Sequence, residues 1–531
     1  MSASTRSGAA GSRRDWQPGR DPRAVRHPAP AGARRSDGQR PVLVAGGGIA
    51  GLAAATGLAE RGVPVRMVEA QPQLGGRVRA WPVQHGNAQV TMSRGFHAFF
   101  RQYYNLRSLL RRADPGLDQL IPLEDYPLVL ADGHRDSFAT IPRTPPLSIA
   151  TFVAQSPSFT LADLTRVDVP AALELLDVDF PATFSRYDGE SASQFLDRLR
   201  FPSGARHLAL EVFARSFFAH PSEFAAGELV AMFHSYFTGS AEGLLFDVPR
   251  DDYDTSLWAP LGRHLAGLGV QTQTSETVEA LADGGDGSIR VTLGSGEQLG
   301  VSGVVVATDP ATTRRLVTTS GLFGEEYADR VGATRNAPPF AVWRLWLDRR
   351  ADGERSPFLG TSGFGPLDNI SLLERFEDGA RRWSETSGGS VVELHAYALP
   401  HGFVAAEVQA ELLHHLGVLY PELADAAVLA QEWLLSEDCP LAGTAPWQLR
   451  PEVATPDPRV VLAGDGIRCD YPVALMERAA TTGWLAANAL LAREGVAGHD
   501  LWTVPMSSRH PVAGRVRRLL TRAGPEGPVG A

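Results

Sequence analysis

The chain of 531 residues is long enough for two or more domains, and its 44% hydrophobic content is typical of a soluble globular enzyme. A formal net charge of −10 argues against nucleic acid as a partner. All 50 of the strongly basic residues are arginine, which excludes mechanisms that need a lysine base or a lysine Schiff base.

The N-terminal residues 1–40 combine nine arginines with Ser, Gly, Ala and Pro, and Trp16 is their one large aromatic residue. This composition predicts a disordered basic tail. The segment has no apolar stretch of the kind that a secretory signal contains. A solvated tail and a contact with anionic lipid are both compatible with its charge.

The segment 41–70, PVLVAGGGIAGLAAATGLAERGVPVRMVEA, has the order strand, glycine loop, helix, strand. The apolar run Val42–Val44 predicts a buried parallel strand, and Gly62 ends the predicted helix. A second strand, Val65–Val68, is followed by Glu69. This order predicts an α/β fold with a Rossmann-type domain that binds a dinucleotide.

Each glycine of the loop Gly46-x-Gly48-x-x-Gly51 has a physical role. Gly46 permits a tight turn, Gly48 lets the backbone approach a pyrophosphate, and Gly51 lets the helix pack closely on the sheet. The free N–H groups at the helix N-terminus favour the phosphates. Glu69 follows Gly51 by eighteen residues, where an acid accepts hydrogen bonds from a ribose.

The next residues, QPQLGGRVRAW, contain Gly75, Gly76 and Arg77 in succession. With the glycine loop, they resemble the flavin-binding head shared by amine oxidases, protoporphyrinogen oxidases and carotenoid desaturases. The resemblance implies FAD as the cofactor, with Arg77 at its pyrophosphate and Val278 over its adenine. The sequence has no second nucleotide loop, so an acceptor such as oxygen or a quinone must reoxidise the flavin. The other contacts implied for FAD are those of Ile49, Ala50, Ala70 and Gly76.

The segment 459–491, RVVLAGDGIRCDYPVALMERAATTGWLAANALL, predicts a strand at Val460–Ala463 and a helix from about Val473 to Leu491. In the family that it resembles, Gly464 and Asp465 hold the ribityl and phosphate part of FAD. The helix N-terminus, with Val473 and Ala474, then points at the flavin pyrimidine, where negative charge develops on reduction.

The run ALMERAATTG is similar to a run in the plant-type phytoene and ζ-carotene desaturases. Arg478 and Thr482 depart from the pattern of those enzymes. Arg478 replaces a glycine, and we expect it to bring a bulky cation close to the flavin.

The predicted FAD-binding domain consists of three separated pieces, 41–120, 250–330 and 446–505. A mixed-sheet and helical substrate-binding domain is predicted from 121–249 and 331–445, where aromatic helical patterns precede the strand-like runs FAVWRLWL, DNISLLERF and SVVELHAYAL. Aromatic stripes at helical spacing are usually core, but their density here favours an apolar, elongated ligand over a polar amine. Residues 506–531 are basic and amphipathic, which suits either a solvated end helix or a membrane contact.

No metal is expected, because His97, His220, His234 and His395 lack the spacing of metal ligands. The chain has two cysteines, too few for a disulfide framework, which fits a cytoplasmic location. No run of about 18 apolar residues predicts a spanning helix. Peripheral association with a membrane remains compatible with the sequence.

The stretch SRGFHAFFRQYYNLRSLL, 93–110, has aromatic residues at helical spacing. Its position after the Gly75-Gly76-Arg77 segment predicts a division into two parts. SRGFH is predicted to pass the flavin as a loop, with the helix starting near Arg101. The rings nearest Gly95 are then candidates for substrate binding, while Tyr103, Leu106 and Leu110 are predicted to serve only in packing.

Four blocks resemble the actinobacterial isorenieratene synthases, which are carotenoid β-ring desaturase/methyltransferases: GFHAFFRQYYNLRSLL, ARSFFAHPSEF, AEGLLFDVP and AGDGIRCDYPVALMERAATTGW. The resemblance implies FAD-dependent conversion of β-carotene to isorenieratene, in which each β-ionone ring loses four hydrogens and one methyl group migrates. Glu477 and His97 are the candidate proton acceptors. The alternatives are a linear carotene desaturase or isomerase, a flavin-dependent carotenoid ketolase and, less favoured without lysine, an amine oxidase.

Overall fold

The computed structural model describes residues 21–86, 88–123, 125–137, 167–200 and 217–508. A five-stranded parallel sheet is the centre of the part that contains the glycine loop. Its strands come from three separated parts of the chain. Three of them, Val42–Ala45, Gly303–Val306 and Val460–Leu462, are buried along their whole length, as expected for a parallel sheet with helices on both faces. The predicted α/β fold with a Rossmann-type sheet is confirmed. In spatial order the strands are Gln271–Thr274, Val65–Glu69, Val42–Ala45, Gly303–Val306 and Val460–Leu462.

Two long helices pack against each other on this sheet, Ile49–Glu60 and Leu475–Arg493. Their contact is close because small residues face each other. A Cβ added at Gly483 would lie 2.2 Å from the carbonyl oxygen of Ala50, and one added at Gly57 would lie 2.8 Å from Cβ of Ala487. The packing places Gly483 of the C-terminal helix beside Ala50 of the glycine loop, although the two residues are far apart in sequence.

The prediction of a disordered tail at 1–40 is wrong for residues 21–40. Val25–His27 forms a strand that pairs antiparallel with Leu501–Thr503, and Nε of Arg26 donates a hydrogen bond of 2.7 Å to Asp500. Composition alone missed this order because the segment is held by pairing with a distant strand and not by apolar residues of its own. Residues 1–20 and 509–531, which include most of the predicted basic amphipathic tail, lie outside the described residues.

A seven-stranded mixed sheet is the centre of the second part. The three strand-like runs in 331–445 are confirmed as neighbouring strands of it. One face packs on the helix Ala405–Leu419 through an apolar core. The other face carries Arg344, Glu393 and His395 among apolar side chains, and Arg344 donates to the Ser93 hydroxyl at 2.7 Å. In spatial order the strands are Val428–Ser436, Phe340–Leu347, Ser390–Ala396, Asn369–Leu372, Phe358–Ser362, Leu128–Leu130 and Arg135–Asp136.

The remaining elements complete the two parts and their junction. No helix among the described ranges is long and apolar enough to cross a membrane. The other helices are Tyr104–Leu110, Val169–Glu174, Ala182–Arg186, Ala192–Leu199, Ala226–Phe233, Ala259–Gly267, Pro310–Thr319, Glu325–Gly332 and Asp378–Ser387. The other strands are Ala80–His85, Ala88–Ser93, Phe99–Phe100, Leu120–Pro122, Phe246–Pro249, Val278–Asp283, Ile289–Leu293 and Gln298–Val301.

Candidate active site

A cavity of about 630 Å³ extends from the glycine loop to the seven-stranded sheet. Most of the residues predicted to contact FAD line its first part, so the fold brings together segments that are hundreds of residues apart. The predicted residues in this lining are Gly46, Gly48, Ile49, Ala50, Glu69, Ala70, Gly76, Arg77, Val278, Gly464 and Asp465.

The glycine loop has the backbone geometry that a dinucleotide needs. Gly46 has a φ of +106°, a conformation that favours glycine. Gly48 is the N-cap of the helix and has no side-chain cap, so the first N–H groups of the helix are free for phosphates. Gly51 does not line the cavity; a Cβ there would lie 1.9 Å from the carbonyl oxygen of Gly46, which makes its role one of close packing.

Two charged groups are fixed at the wall of this cradle. The Glu69 carboxylate accepts hydrogen bonds from the N–H groups of Gly47 at 2.6 Å and Gln71 at 2.7 Å. Arg77 forms a two-bond ion pair with Asp465, with a distance of 2.9 Å from Nη1 to Oδ2. Burial lowers the pKa of Arg77, but the negative charge of Asp465 outweighs it and the pKa lies well above its ordinary value. A permanently charged fork beside an uncapped helix N-terminus fits the pyrophosphate of FAD.

Val473 and Ala474 do not line the cavity, in contrast to the prediction. The C-terminal helix begins two residues later than predicted, at Leu475, which has a φ of +51°. This turn rotates the helix start, so that Leu475 and the following Met476 face the cavity in their place, together with Ala479 one turn later.

Arg478 also lies elsewhere than predicted. Its guanidinium does not line the cavity but donates hydrogen bonds of 2.9 and 2.6 Å to Glu228. Arg450 donates to the same carboxylate at 2.5 Å. We call these three residues the Glu228 triad. Because Glu228 lies on the helix Ala226–Phe233, the triad joins that helix to the C-terminal helix and does not bring a cation to the cavity lining.

Glu477 is buried outside the cavity lining, so its predicted role as a proton acceptor for the substrate does not fit its position. Its two carboxyl oxygens accept hydrogen bonds from the N–H groups of Asn105 at 2.8 Å and Leu106 at 2.9 Å. These are the second and third N–H groups of the helix Tyr104–Leu110, which has no side-chain cap of its own. Burial raises the pKa of Glu477 to about 8. Its place in the fold is that of a helix cap from another element.

The second part of the cavity is an aromatic chamber. Phe96 lines it, with a ring-centroid distance of 4.5 Å to the tilted ring of Phe358 and an edge-on contact of 6.0 Å with Phe246. Edge-on contacts are a favourable arrangement for aromatic rings. The aromatic residues of the lining are Phe96, Phe100, Tyr103, Tyr126, Phe217, Phe218, Tyr236, Phe246, Phe340, Phe358 and Tyr397.

The predicted division of the stretch 93–110 agrees with the structure in outline. A loop follows the strand that ends at Ser93, and the helix begins at Tyr104, three residues beyond the predicted Arg101. The prediction that Tyr103 serves only in packing is wrong, since this residue lines the cavity and its hydroxyl lies 2.5 Å from that of Tyr236.

His97 lines the cavity between the two parts. Its Nδ1 lies 2.8 Å from the carbonyl oxygen of Gly95, which can only accept, so Nδ1 carries the proton and Nε2 is left as an acceptor. Burial lowers the pKa of His97 to about 4, which keeps the ring neutral near pH 7. A neutral imidazole has one unprotonated nitrogen, which can take a proton from a bound molecule that it contacts.

Comparisons with known proteins agree with this arrangement. The family of flavin containing amine oxidoreductases matches residues 49–491. This chain belongs to that family. It is 51% identical to the carotenoid phi-ring synthase of Streptomyces griseus over 94% of this chain and 97% of the relative. It is 27% identical to the carotenoid phi-ring synthase of Chlorobaculum tepidum over 88% and 90% of the two chains.

The fold of the family is also found in a solved structure of a putrescine oxidase double mutant, with a TM-score of 0.62 and 17% identity. That likeness covers 86% of this chain and 99% of the oxidase. The protein is therefore a flavin-containing oxidoreductase that binds FAD. The N–H groups at Gly48 and the guanidinium of Arg77 are donors that would fit the phosphates of FAD, while Asp465 accepts from Arg77 and holds it at the cavity wall.

Sequence reasoning missed one polar group of the active-site wall, formed by Glu393, His395 and Tyr397. All three lie on the strand Ser390–Ala396 or directly after it, and His395 and Tyr397 line the cavity. The signal was in the run VVELHAYAL, because residues at i, i+2 and i+4 of a strand share one face. Three ionisable residues on one face of an otherwise apolar strand indicate a functional face.

Proposed function

We propose that the protein converts the β-ionone rings of a carotenoid into aromatic φ rings, with β-carotene as substrate and isorenieratene as product. The observation that carries the proposal is the continuity of the FAD cradle with the aromatic chamber around Phe96. A ring held in that chamber would lie at the end of the cofactor site. The names of the two phi-ring synthases that the chain resembles give independent support.

The chemistry places clear demands on the chamber. Aromatising one ring removes four hydrogens as two hydrides and two protons, and moves one methyl group to the neighbouring carbon. FAD, when bound, would supply a two-electron oxidation, so each ring needs two flavin reductions, with reoxidation by an electron acceptor between them. The faces of Phe96, Phe246 and Phe358 can stabilise the positive charge on the ring while the methyl group migrates.

We further propose that His97 accepts one of the protons at Nε2. Its neutral state and its place in the lining support this role. Water must be kept from the ring cation during the methyl shift, and the apolar side chains of the chamber serve that purpose.

The remaining parts of the proposal concern the surroundings of the reaction. Reduced flavin is reoxidised by oxygen or a quinone. We place the protein in the cytoplasm. Because the proposed substrate is an apolar molecule, we expect the protein to make peripheral contact with a membrane.

The proposal is tested by expressing the chain in cells that make β-carotene and analysing their pigments. We expect carotenoids with aromatic end rings. A Gly51→Val variant, which obstructs the glycine loop, is the matched control and should leave β-carotene unchanged. Keto groups on the rings would point to a ketolase, and activity on acyclic carotenes alone would point to a linear desaturase. Either result would contradict the proposal.

A further inference from the structure

We infer that Tyr397 is a catalytic proton acceptor of the ring reaction and that His395 and Glu393 position its hydroxyl and receive its proton. The inference rests on the proposed function and adds a second acid–base group to it. The three residues are called the relay below.

The relay is a continuous chain of hydrogen bonds that starts at the cavity wall. The Tyr397 hydroxyl lies 2.6 Å from Nδ1 of His395, and Nε2 of His395 lies 2.8 Å from Oε1 of Glu393. Asn369 donates a further bond of 3.0 Å to the Tyr397 oxygen and holds it in place. The N–H of Phe96 also points at Nε2, at 3.3 Å, and Nε2 can either accept from Phe96 or donate to Glu393, so the charge of Glu393 decides which of the two contacts is the hydrogen bond.

The charge of Glu393 determines which group donates in each hydrogen bond of the relay. Arg344 donates to this carboxylate from Nε at 3.0 Å and Nη2 at 2.7 Å. Burial raises the pKa of Glu393, but Arg344 and then His395 outweigh it and lower the pKa to about 2. An ionised carboxylate only accepts, so Nε2 of His395 carries the proton and Nδ1 accepts the proton of the Tyr397 hydroxyl.

This direction allows a balanced proton transfer. A C–H bond of the ring cation breaks, and its electron pair forms the new ring double bond. The proton bonds to the Tyr397 oxygen while the hydroxyl proton of Tyr397 passes to Nδ1 of His395. The imidazolium that results faces the Glu393 carboxylate, which stabilises it.

The transfer through Tyr397 must be coupled, because the phenol cannot keep a negative charge in this site. Burial raises the pKa of Tyr397 far above its ordinary value. A free tyrosinate therefore does not form, and the hydroxyl can accept a proton only as it gives one up. The β-ionone ring of the substrate releases two protons from different carbons. His97 would accept one of them, and Tyr397 would accept the other.

The relay also has structural contacts, which the test must separate from chemistry. A Cβ added at Gly95 would lie 2.5 Å from Cε1 of His395, so the ring of His395 supports the loop that carries Phe96 and His97. The Tyr397 ring packs edge-on against Phe218 at 5.0 Å. Replacing Tyr397 with phenylalanine keeps the ring and removes only the hydroxyl.

The test compares FAD-loaded wild type with Tyr397→Phe, His395→Gln and the control Tyr187→Phe, using β-carotene in detergent micelles. Tyr187 is a buried tyrosine outside the cavity, whose hydroxyl bonds to Glu174 at 3.2 Å. We expect kcat to fall on the order of 100-fold in Tyr397→Phe and His395→Gln, as for other lost acid–base groups. Quenching of flavin fluorescence should give affinities for β-carotene and FAD within about twofold of wild type, because uniform binding is not lost.

A second readout is the solvent isotope effect. Wild-type kcat should be lower in D2O than in H2O, and this difference should disappear in Tyr397→Phe. If wild type forms aromatic product and Tyr397→Phe has the same kcat, the inference about Tyr397 is wrong while the proposed function stands. If the Tyr397→Phe and His395→Gln variants lose carotenoid or FAD affinity in proportion to their loss of kcat, the relay has a structural role, and the inference is also wrong. A wild type that forms no aromatic ring overturns the proposed function and the inference with it.

Discussion

Replacing Glu228 with glutamine should strongly destabilise the protein. Glu228 is 1% exposed and accepts three hydrogen bonds, of 2.9, 2.6 and 2.5 Å, from two guanidinium groups. Glutamine keeps the shape but removes the charge, which leaves the buried Arg478 and the largely buried Arg450 without the carboxylate that both of them bind. Breaking a buried ion pair in this way costs about 3–5 kcal/mol, a large share of a typical stability of roughly 5–15 kcal/mol.

Equilibrium unfolding in urea with FAD present measures this loss. The matched control is Glu223→Gln, which removes the same charge from a surface pair with Arg335 at 3.1 Å, where the two side chains are 37% and 69% exposed. That change should cost less than about 1 kcal/mol. Adding Arg478→Met to Glu228→Gln should recover part of the loss by removing one unpaired charge. Equal losses in the Glu228 and Glu223 variants would refute the reasoning.

The free energy of unfolding of wild type should fall with decreasing pH, and Glu228→Gln should show less of this fall. Burial raises the pKa of Glu228, but Arg478 and then Arg450 outweigh it, so the folded-state pKa lies below its ordinary value. The stabilisation by the carboxylate is therefore present above the unfolded-state pKa, near 4.3, and lost as pH falls through the folded-state pKa. Wild type should lose stability over this acid range more steeply than Glu228→Gln. Parallel acid profiles would contradict the assignment.

Three further changes test the cofactor site and the corrected role of Glu477. Arg77→Met should weaken FAD binding by about 10- to 100-fold, from the loss of a charged hydrogen bond worth roughly 1.5–3 kcal/mol, as measured by flavin fluorescence. Gly51→Ala should yield protein without flavin, whereas Gly267→Ala, in a helix with open space at Cβ, should bind FAD normally. Glu477→Gln should lower the unfolding free energy by about 1 kcal/mol through its weakened helix cap and leave kcat unchanged. A large fall in its kcat would restore Glu477 as a proton acceptor.

The sequence predicted which segments meet at the first part of the cavity, because these segments carry local patterns. Gly46, Gly48, Glu69 and the Gly464-Asp465 turn each combine a strand end with residues of special backbone or charge, and they line the cavity, whereas Gly51 serves in packing. Their contacts with FAD stay a prediction. Such patterns are less accurate at helix ends: Val473 and Ala474 were predicted to line the cavity, but Leu475 and Met476 line it. A shift of two residues in a helix start changes which face meets the cavity, and sequence does not determine helix ends to that accuracy.

The chemical half was harder to predict, because it depends on contacts between distant elements. Glu477 looked catalytic beside a flavin motif, but its partners are backbone N–H groups more than 370 residues earlier in the chain. Arg478 was expected at the flavin and instead binds Glu228 on another helix. His395 was considered only as a metal ligand, since its link to Glu393 and Tyr397 requires knowing that they lie on one strand at the cavity.

The central claim is that this flavoprotein aromatises β-ionone rings with a methyl shift inside the substrate. Its most direct test uses purified, FAD-loaded protein and β-carotene labelled with 13C in the geminal methyl groups. We predict a product that has lost four hydrogens for each converted ring and has kept all its carbon. NMR should place one labelled methyl of that ring on the neighbouring aromatic carbon. A product that gains oxygen, loses the label, or keeps both labelled methyl groups on their original carbon would contradict the account.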